Sequence, residues 1–261
     1  MNIRKEEAPS VFETSMDRVE VTFYTDPFCC WSWALEPQWR RLRYEYAGKI
    51  VWRYCMGGLI GDIHSFNDPM NAVSRPSQMG PLWMEVKHLS GMPVSDHIWM
   101  TEPPVSSYPS CIAVKCAALQ SPVAAEQLLR KLREAIMLKG LNISREDVLL
   151  QSAEELSVQT QSFDFTKFKE DYYQGAGLEA FKNDLQYIRY QKISRFPTLT
   201  FERDGKEGII IVGYRPYKVL LDAFRAIASD IEPTQKVNDE TSYRNFWGGN
   251  VLNRELEELK I

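Results

Sequence analysis

No stretch of this 261-residue chain approaches the roughly 18 consecutive apolar residues of a membrane-spanning helix. Positive charge is not in surplus either. The formal net charge is −4, which leaves no basic footprint for nucleic acid. The first twenty residues, MNIRKEEAPSVFETSMDRVE, carry acids and lack an apolar centre, so no secretory signal is expected. Internal repeats and low-complexity tracts are missing. With 44% apolar and 25% charged residues, disorder, collagen and a coiled coil are excluded. His64, His88 and His97 show no metal-ligand spacing, so no metal is expected. These absences imply a soluble, cytoplasmic protein with neither a membrane nor a nucleic-acid partner.

Cysteine is scarce. Five are too few, and odd in number, for a disulfide framework. Without an export signal, all five are expected as free thiols. Cys55, Cys111 and Cys116 stand apart and read as small buried hydrophobes, the last two on different faces of one helix. Cys29 and Cys30 are adjacent, and their setting is what the rest of the pattern has to explain.

Residues 19–25, VEVTFYT, are β-branched and aromatic and predict a strand that Asp26-Pro27 ends. Leu35, Trp39, Leu42 and Tyr46 predict a helix over 32–46, with Pro37 either kinking it or marking its first turn. Residues 49–56 read as a second strand, parallel to the first across a βαβ connection. Gly57, Gly58 and Gly61 then read as a hinge into a Pro- and Met-containing stretch that runs to Pro104. From 108 to 190 the pattern is mostly helical, including 123–138 and a helix lined by Phe181, Leu185 and Ile188. Ser144 and Asp147 have capping-box spacing. Strand texture returns at 197–201 and 208–213 around the Asp204-Gly205 turn, and a helix follows over 216–229. A polar and aromatic segment from Glu232 ends in a short helical pattern. Arg40, Arg41 and Arg43 read as a solvated helix face.

Cys29 therefore falls between a strand and a helix start. Unpaired N–H groups and the macrodipole favour a thiolate there, and thiol pKa drops from about 8.5 towards 3.5–7.5 in such settings. A nucleophilic, low-pKa thiol is the expectation. Ser32 occupies the last place of a Cys-x-x-Cys spacing.

The segment Thr25-Asp-Pro-Phe-Cys-Cys-Trp-Ser-Trp-Ala-Leu-Glu-Pro37 resembles the active-site segment of the DsbA-like thioredoxin-fold family, in the branch of the FrnE-type oxidoreductases and SpxH-type ClpXP adaptors. Arg195-Phe-Pro-Thr-Leu-Thr200 is similar to that family's cis-proline loop, and a helical insert lies between the two. The resemblance covers roughly 19–229. It implies an α/β fold in which a thioredoxin-like domain (18–60 and 192–230) carries an all-helical insert (61–191), flanked by a flexible tail (1–17) and a C-terminal extension (231–261).

It also implies roles. Cys29 would be the attacking thiol, Pro197 a cis-proline facing it, and Trp31, Trp33, Phe196 and Thr198 the substrate-binding residues. Ser32 replaces the resolving cysteine, so it would hydrogen-bond the Cys29 thiolate but could not release a mixed disulfide. That favours monothiol oxidoreductase or isomerase chemistry with glutathione as co-substrate and no bound cofactor. Cys30 stays open as a second thiol, against the geometry of a vicinal disulfide. The kappa-class glutathione transferases share the scaffold and have a Ser-x-x-Ser-Trp variant that Ser32-Trp33 half matches. The SpxH-type adaptors imply a different class, a protein partner bound on the same scaffold without redox chemistry.

Overall fold

The computed structural model describes residues 18–69, 71–236 and 239–261, so the tail 1–17 lies outside the described residues. Its sheet has four strands in the order β2-β1-β3-β4: β1 (Val19–Thr25), β2 (Ile50–Met56), β3 (Thr198–Glu202) and β4 (Ile209–Val212). β1 pairs parallel with β2, Val19 opposite Ile50, and antiparallel with β3, Phe23 opposite Leu199. β3 and β4 form the hairpin expected from Asp204-Gly205. β1 and β2 are joined by α1 (Cys30–Ala34) and α2 (Glu36–Glu45). The sequence predicts one helix here. The structure breaks it at Leu35, and Pro37 sits in the first turn of α2, where its missing N–H leaves no bond unmade.

Between β2 and β3 lie α3 (Met79–Ser90), α4 (Ile98–Thr101), α5 (Tyr108–Gln120), α6 (Pro122–Met137), α7 (Glu146–Gln159), α8 (Phe165–Tyr173) and α9 (Ala176–Tyr190). After β4 come α10 (Tyr217–Ile227), α11 (Glu240–Phe246) and α12 (Asn253–Glu258). The architecture is thus the expected α/β one, a four-stranded mixed sheet with a helical insertion between β2 and β3. One hydrophobic core runs from Phe23 and Leu199 in the sheet to Val114 and Leu132 in the insert.

α3 is not apparent from the Pro- and Met-rich texture. Gly80 and Pro81 disguise its first turn, yet Met79, Leu82, Trp83 and Val86 bury one face, and Gly91 at φ 73 stops it. Ser144 does not cap α7. Arg145 occupies that place, and the Ser144 hydroxyl instead donates to Ser106 O, 2.8 Å away, in the loop before α5. Gly57 is less a free hinge than a point of contact. An added Cβ would lie 2.1 Å from the Phe196 ring, so only glycine admits that ring.

Arg40, Arg41 and Arg43 correct a further expectation: each is under 9% exposed. The C-terminal segment covers them. Arg40 pairs with Glu255 of α12, Arg41 donates to Glu258 O, and Arg43 pairs with Glu126 of α6. Tyr44, Tyr243, Leu256 and Leu259 form a small second apolar cluster that holds α11 and α12 against α2.

Candidate functional site at the Cys29 loop

The chain leaves β1 and turns within four residues. Asp26 Oδ1 accepts Phe28 N at 2.8 Å and Asp26 O accepts Cys29 N at 3.1 Å, an Asx-type turn that delivers Cys29 to the N-cap of α1. There the sulfur does what a capping oxygen does, accepting the Ser32 N–H at 3.4 Å. The buried Ser32 hydroxyl makes no complete hydrogen bond, yet it stands close enough to the sulfur to favour the thiolate.

The net effect on Cys29 is opposite to the expectation from its helix-start position. Burial pushes the thiol above its ordinary value, the Ser32 side chain and N–H pull it down, the Asp26 carboxylate pushes it up, and Arg133 pulls it down. Cys29 is 4% exposed, and the desolvation of a thiolate outweighs a helix of five residues.

Cys30 is packed into the main core, and burial followed by the neighbouring Cys29 holds its thiol well above the ordinary value. Both are free thiols. Cys55 clusters with Tyr24 and Ile188 instead, donates to Asp184 O at 3.8 Å, and is pushed up chiefly by burial. Cys111 and Cys116 are fully buried in α5.

Cys29 lines a groove of about 510 Å³. Phe28, Trp31, Leu59, Phe66, Met79 and Leu82 give it apolar walls, and Arg195, Phe196, Tyr214 and Arg215 complete the side made by the β3 and β4 loops. The Phe196–Pro197 peptide is cis, and Gly213 N donates to Pro197 O at 2.8 Å. Trp31 and Phe196 therefore reach the groove together with Cys29 and Cys30. Thr198 and Trp33 do not line it. Thr198 is 1% exposed and donates its hydroxyl to Arg195 O at 2.8 Å, which closes the loop from behind. Trp33 is buried, donates Nε1–H to Pro93 O at 2.9 Å, and carries the Arg130 guanidinium 4.6 Å over its ring. Pro197, expected to face the thiol, is buried and is not among the residues that line the groove.

Two sets of groups behind the thiol escape sequence reasoning. Asp26 is fully buried, and its Oδ2 accepts from Leu59 N, Ser107 Oγ and Cys111 Sγ, tying β1 to the insert. Burial raises its pKa, and these donors only moderate the rise. The Asp-Pro pair that ends β1 is visible in the sequence, but the donors are not. The second set is ionic. Arg133 donates to Thr25 Oγ1 and pairs with Glu36 at 2.5 Å, Glu36 pairs with Arg130 at 2.7 Å, and Arg130 reaches Glu255 at 3.1 Å. Nothing local marks these residues, which come from four separate segments. Among the described residues, no cluster of three or more His, Cys, Asp or Glu could hold a metal ion. Nor is any helix among them long and apolar enough to cross a membrane.

Residues 23–222 match the thioredoxin family model. The ClpXP adapter protein SpxH of Halalkalibacterium halodurans is 29% identical over 203 residues, 77% of this chain and 65% of that protein's length. The chain therefore spans just under two thirds of that relative. Among solved structures, a putative protein disulfide isomerase from Nitrosomonas europaea superposes with a TM-score of 0.63 at 20% identity, over 82% of this chain and 97% of that one. The cytosolic disulfide reductase DsbM from Pseudomonas aeruginosa gives 0.61 at 20%, over 80% and 100%, and has also been solved with GSH.

Proposed function

This chain belongs to the thioredoxin family and has the DsbA-like form of its fold, and from that premise we propose that it exchanges thiols with disulfides through the single cysteine Cys29. The observation that carries the reading is the Cys29 sulfur at the N-cap of α1, held by the Ser32 N–H on the wall of a groove that the cis Phe196–Pro197 loop borders. In the step, the Cys29 thiolate attacks one sulfur of a disulfide. A Cys29 S–S bond forms as the substrate's S–S bond breaks, and the released thiolate takes a proton from water. Cys29 is oxidised and the released half is reduced. Ser32 stabilises the attacking thiolate, and Trp31 and Phe196 border the bound substrate. Pro197 and Thr198 set the loop from behind, and Trp33 supports α1 from the core.

Ser32 cannot resolve the mixed disulfide, and the adjacent Cys30 could do so only through a strained vicinal disulfide. Release then requires an external thiol, and glutathione suits that part as co-substrate. The structural neighbour solved with GSH supports it. Attack by another thiol of the same substrate would give isomerisation through the same intermediate.

One observation favours a second reading. The relative with 29% identity is named an adapter of ClpXP, so the scaffold could instead present a protein partner. Cys29→Ala separates the two. Under the monothiol reading this variant forms no mixed disulfide and loses reductase activity towards a disulfide with glutathione as reductant. Retained activity contradicts it, whereas an adaptor without redox chemistry would keep its partner after the substitution.

A further inference from the structure

The groove beside Cys29 has mostly apolar walls, and its positive charge is gathered at one side. Arg195, in the loop before the cis peptide, and Arg215, after β4, both line it and are both exposed. Among the described residues neither is in an ion pair. Arg215 donates Nε–H to Val212 O at 3.1 Å, and its terminal nitrogens have no partner among the described residues. Among the described residues that line the groove the one carboxylate is Asp68, which accepts bonds from the backbone N and the side-chain amide of Asn71, at 3.2 and 2.5 Å. The contrast with the buried arginines is sharp. Arg40, Arg130 and Arg133 are buried and matched by carboxylates, and the chain as a whole is acidic at −4. Two unmatched guanidinium groups beside a thiol are placed for an anion, and planar forks of donors suit carboxylates.

We propose that Arg195 and Arg215 are specificity-determining residues that select small disulfides carrying carboxylates, with the apolar walls taking the substrate's carbon skeleton. This rests on the thiol–disulfide reading of Cys29 and names its substrate class. A cavity of about 510 Å³ has the size of a small-molecule site, which favours a low-molecular-weight acidic disulfide over a folded protein surface. The same charges act in attack and in release, because the external thiol that frees Cys29 enters through the same groove.

The test measures rates of Cys29 mixed-disulfide formation by intact mass for the full chain and for Arg195→Glu/Arg215→Glu. The probes are 3,3′-dithiodipropionate, which is anionic, and cystamine, which is cationic. Comparing the anionic-to-cationic rate ratio between the two proteins cancels the intrinsic reactivity of each probe. The native ratio is expected to exceed the variant's on the order of tenfold or more at low salt, and the difference to shrink as salt rises. An Arg195→Gln/Arg215→Gln pair should fall between them. Equal ratios in all three proteins overturn the proposal while leaving Cys29 as the reactive thiol. Failure of Cys29 to react with either probe overturns the exchange reading itself, and the proposal with it. Oxidised glutathione and a cystine-bridged acidic peptide distinguish the two sources of carboxylate. A charge effect confined to the peptide would contradict the small-molecule assignment.

Discussion

Asp26 and Glu36 stand on either side of Cys29 in the chain, and both are buried. Asp26 accepts its bonds from neutral donors: two backbone N–H groups, a hydroxyl and a thiol. Burial raises its pKa despite them. Glu36 suffers the same desolvation, but Arg130 and Arg133, with Arg40 behind them, outweigh it, and its pKa is lowered. Burial alone therefore does not decide whether a carboxylate here is charged. The presence of guanidinium partners does. The two sites also differ in purpose. The Glu36 nest joins α2, α6 and α12 as a charged scaffold, while the Asp26 nest lies at the Cys29 loop and pushes that thiol's pKa up.

The largest effect should come from opening the charged nest. Glu36→Gln leaves two buried guanidinium groups short of a partner and should cost about 3–5 kcal/mol at pH 7, read from urea unfolding. The sign with pH follows from the lowered pKa. The stability contributed by ionised Glu36 is present above its unfolded value, near 4.5, and is lost as pH falls through the lower folded value. The difference between native and variant should therefore narrow in acid, and a penalty independent of pH would contradict the ionic account. Opening the neutral nest should cost less. Ser107→Ala removes one donor to Asp26 and should cost about 1 kcal/mol in the same experiment.

Smaller effects appear in reactivity. Because the Cys29 thiol lies above its ordinary value, its alkylation rate should climb steadily from pH 6 to 9 rather than level off near 7. Ser32→Ala removes the strongest influence favouring the thiolate and should lower the rate at fixed pH. Asp26→Asn removes a negative neighbour and should raise it by a smaller factor. Iodoacetamide kinetics across pH check both, and shifts of the same sign in the two variants would contradict the opposed roles.

What the sequence discloses here is what is local. The Asp-Pro turn, Cys29, Ser32 and the Arg195–Thr200 segment lie in short stretches whose residue types dictate their conformation, and the β-branched runs mark all four strands. The buried arginines are not legible because Arg40 finds its carboxylate at Glu255, more than 200 positions away. Alone on α2, three arginines look like a wet surface. The direction of the Cys29 shift is hidden for the same reason. The helix start is local, but the burial that outweighs it is supplied by the folded chain around the thiol. Trp33 and Thr198 show the converse, since residues inside recognisable motifs turn inward to brace the groove rather than line it.

The monothiol site is tested most directly by intact mass and peptide mapping after incubation with oxidised glutathione. The account predicts one glutathione per chain, on Cys29 alone, that persists until an external thiol is added, with Cys30, Cys55, Cys111 and Cys116 unmodified. An intramolecular disulfide to Cys30 or Cys55, or an unmodified Cys29 beside an adduct elsewhere, would contradict it.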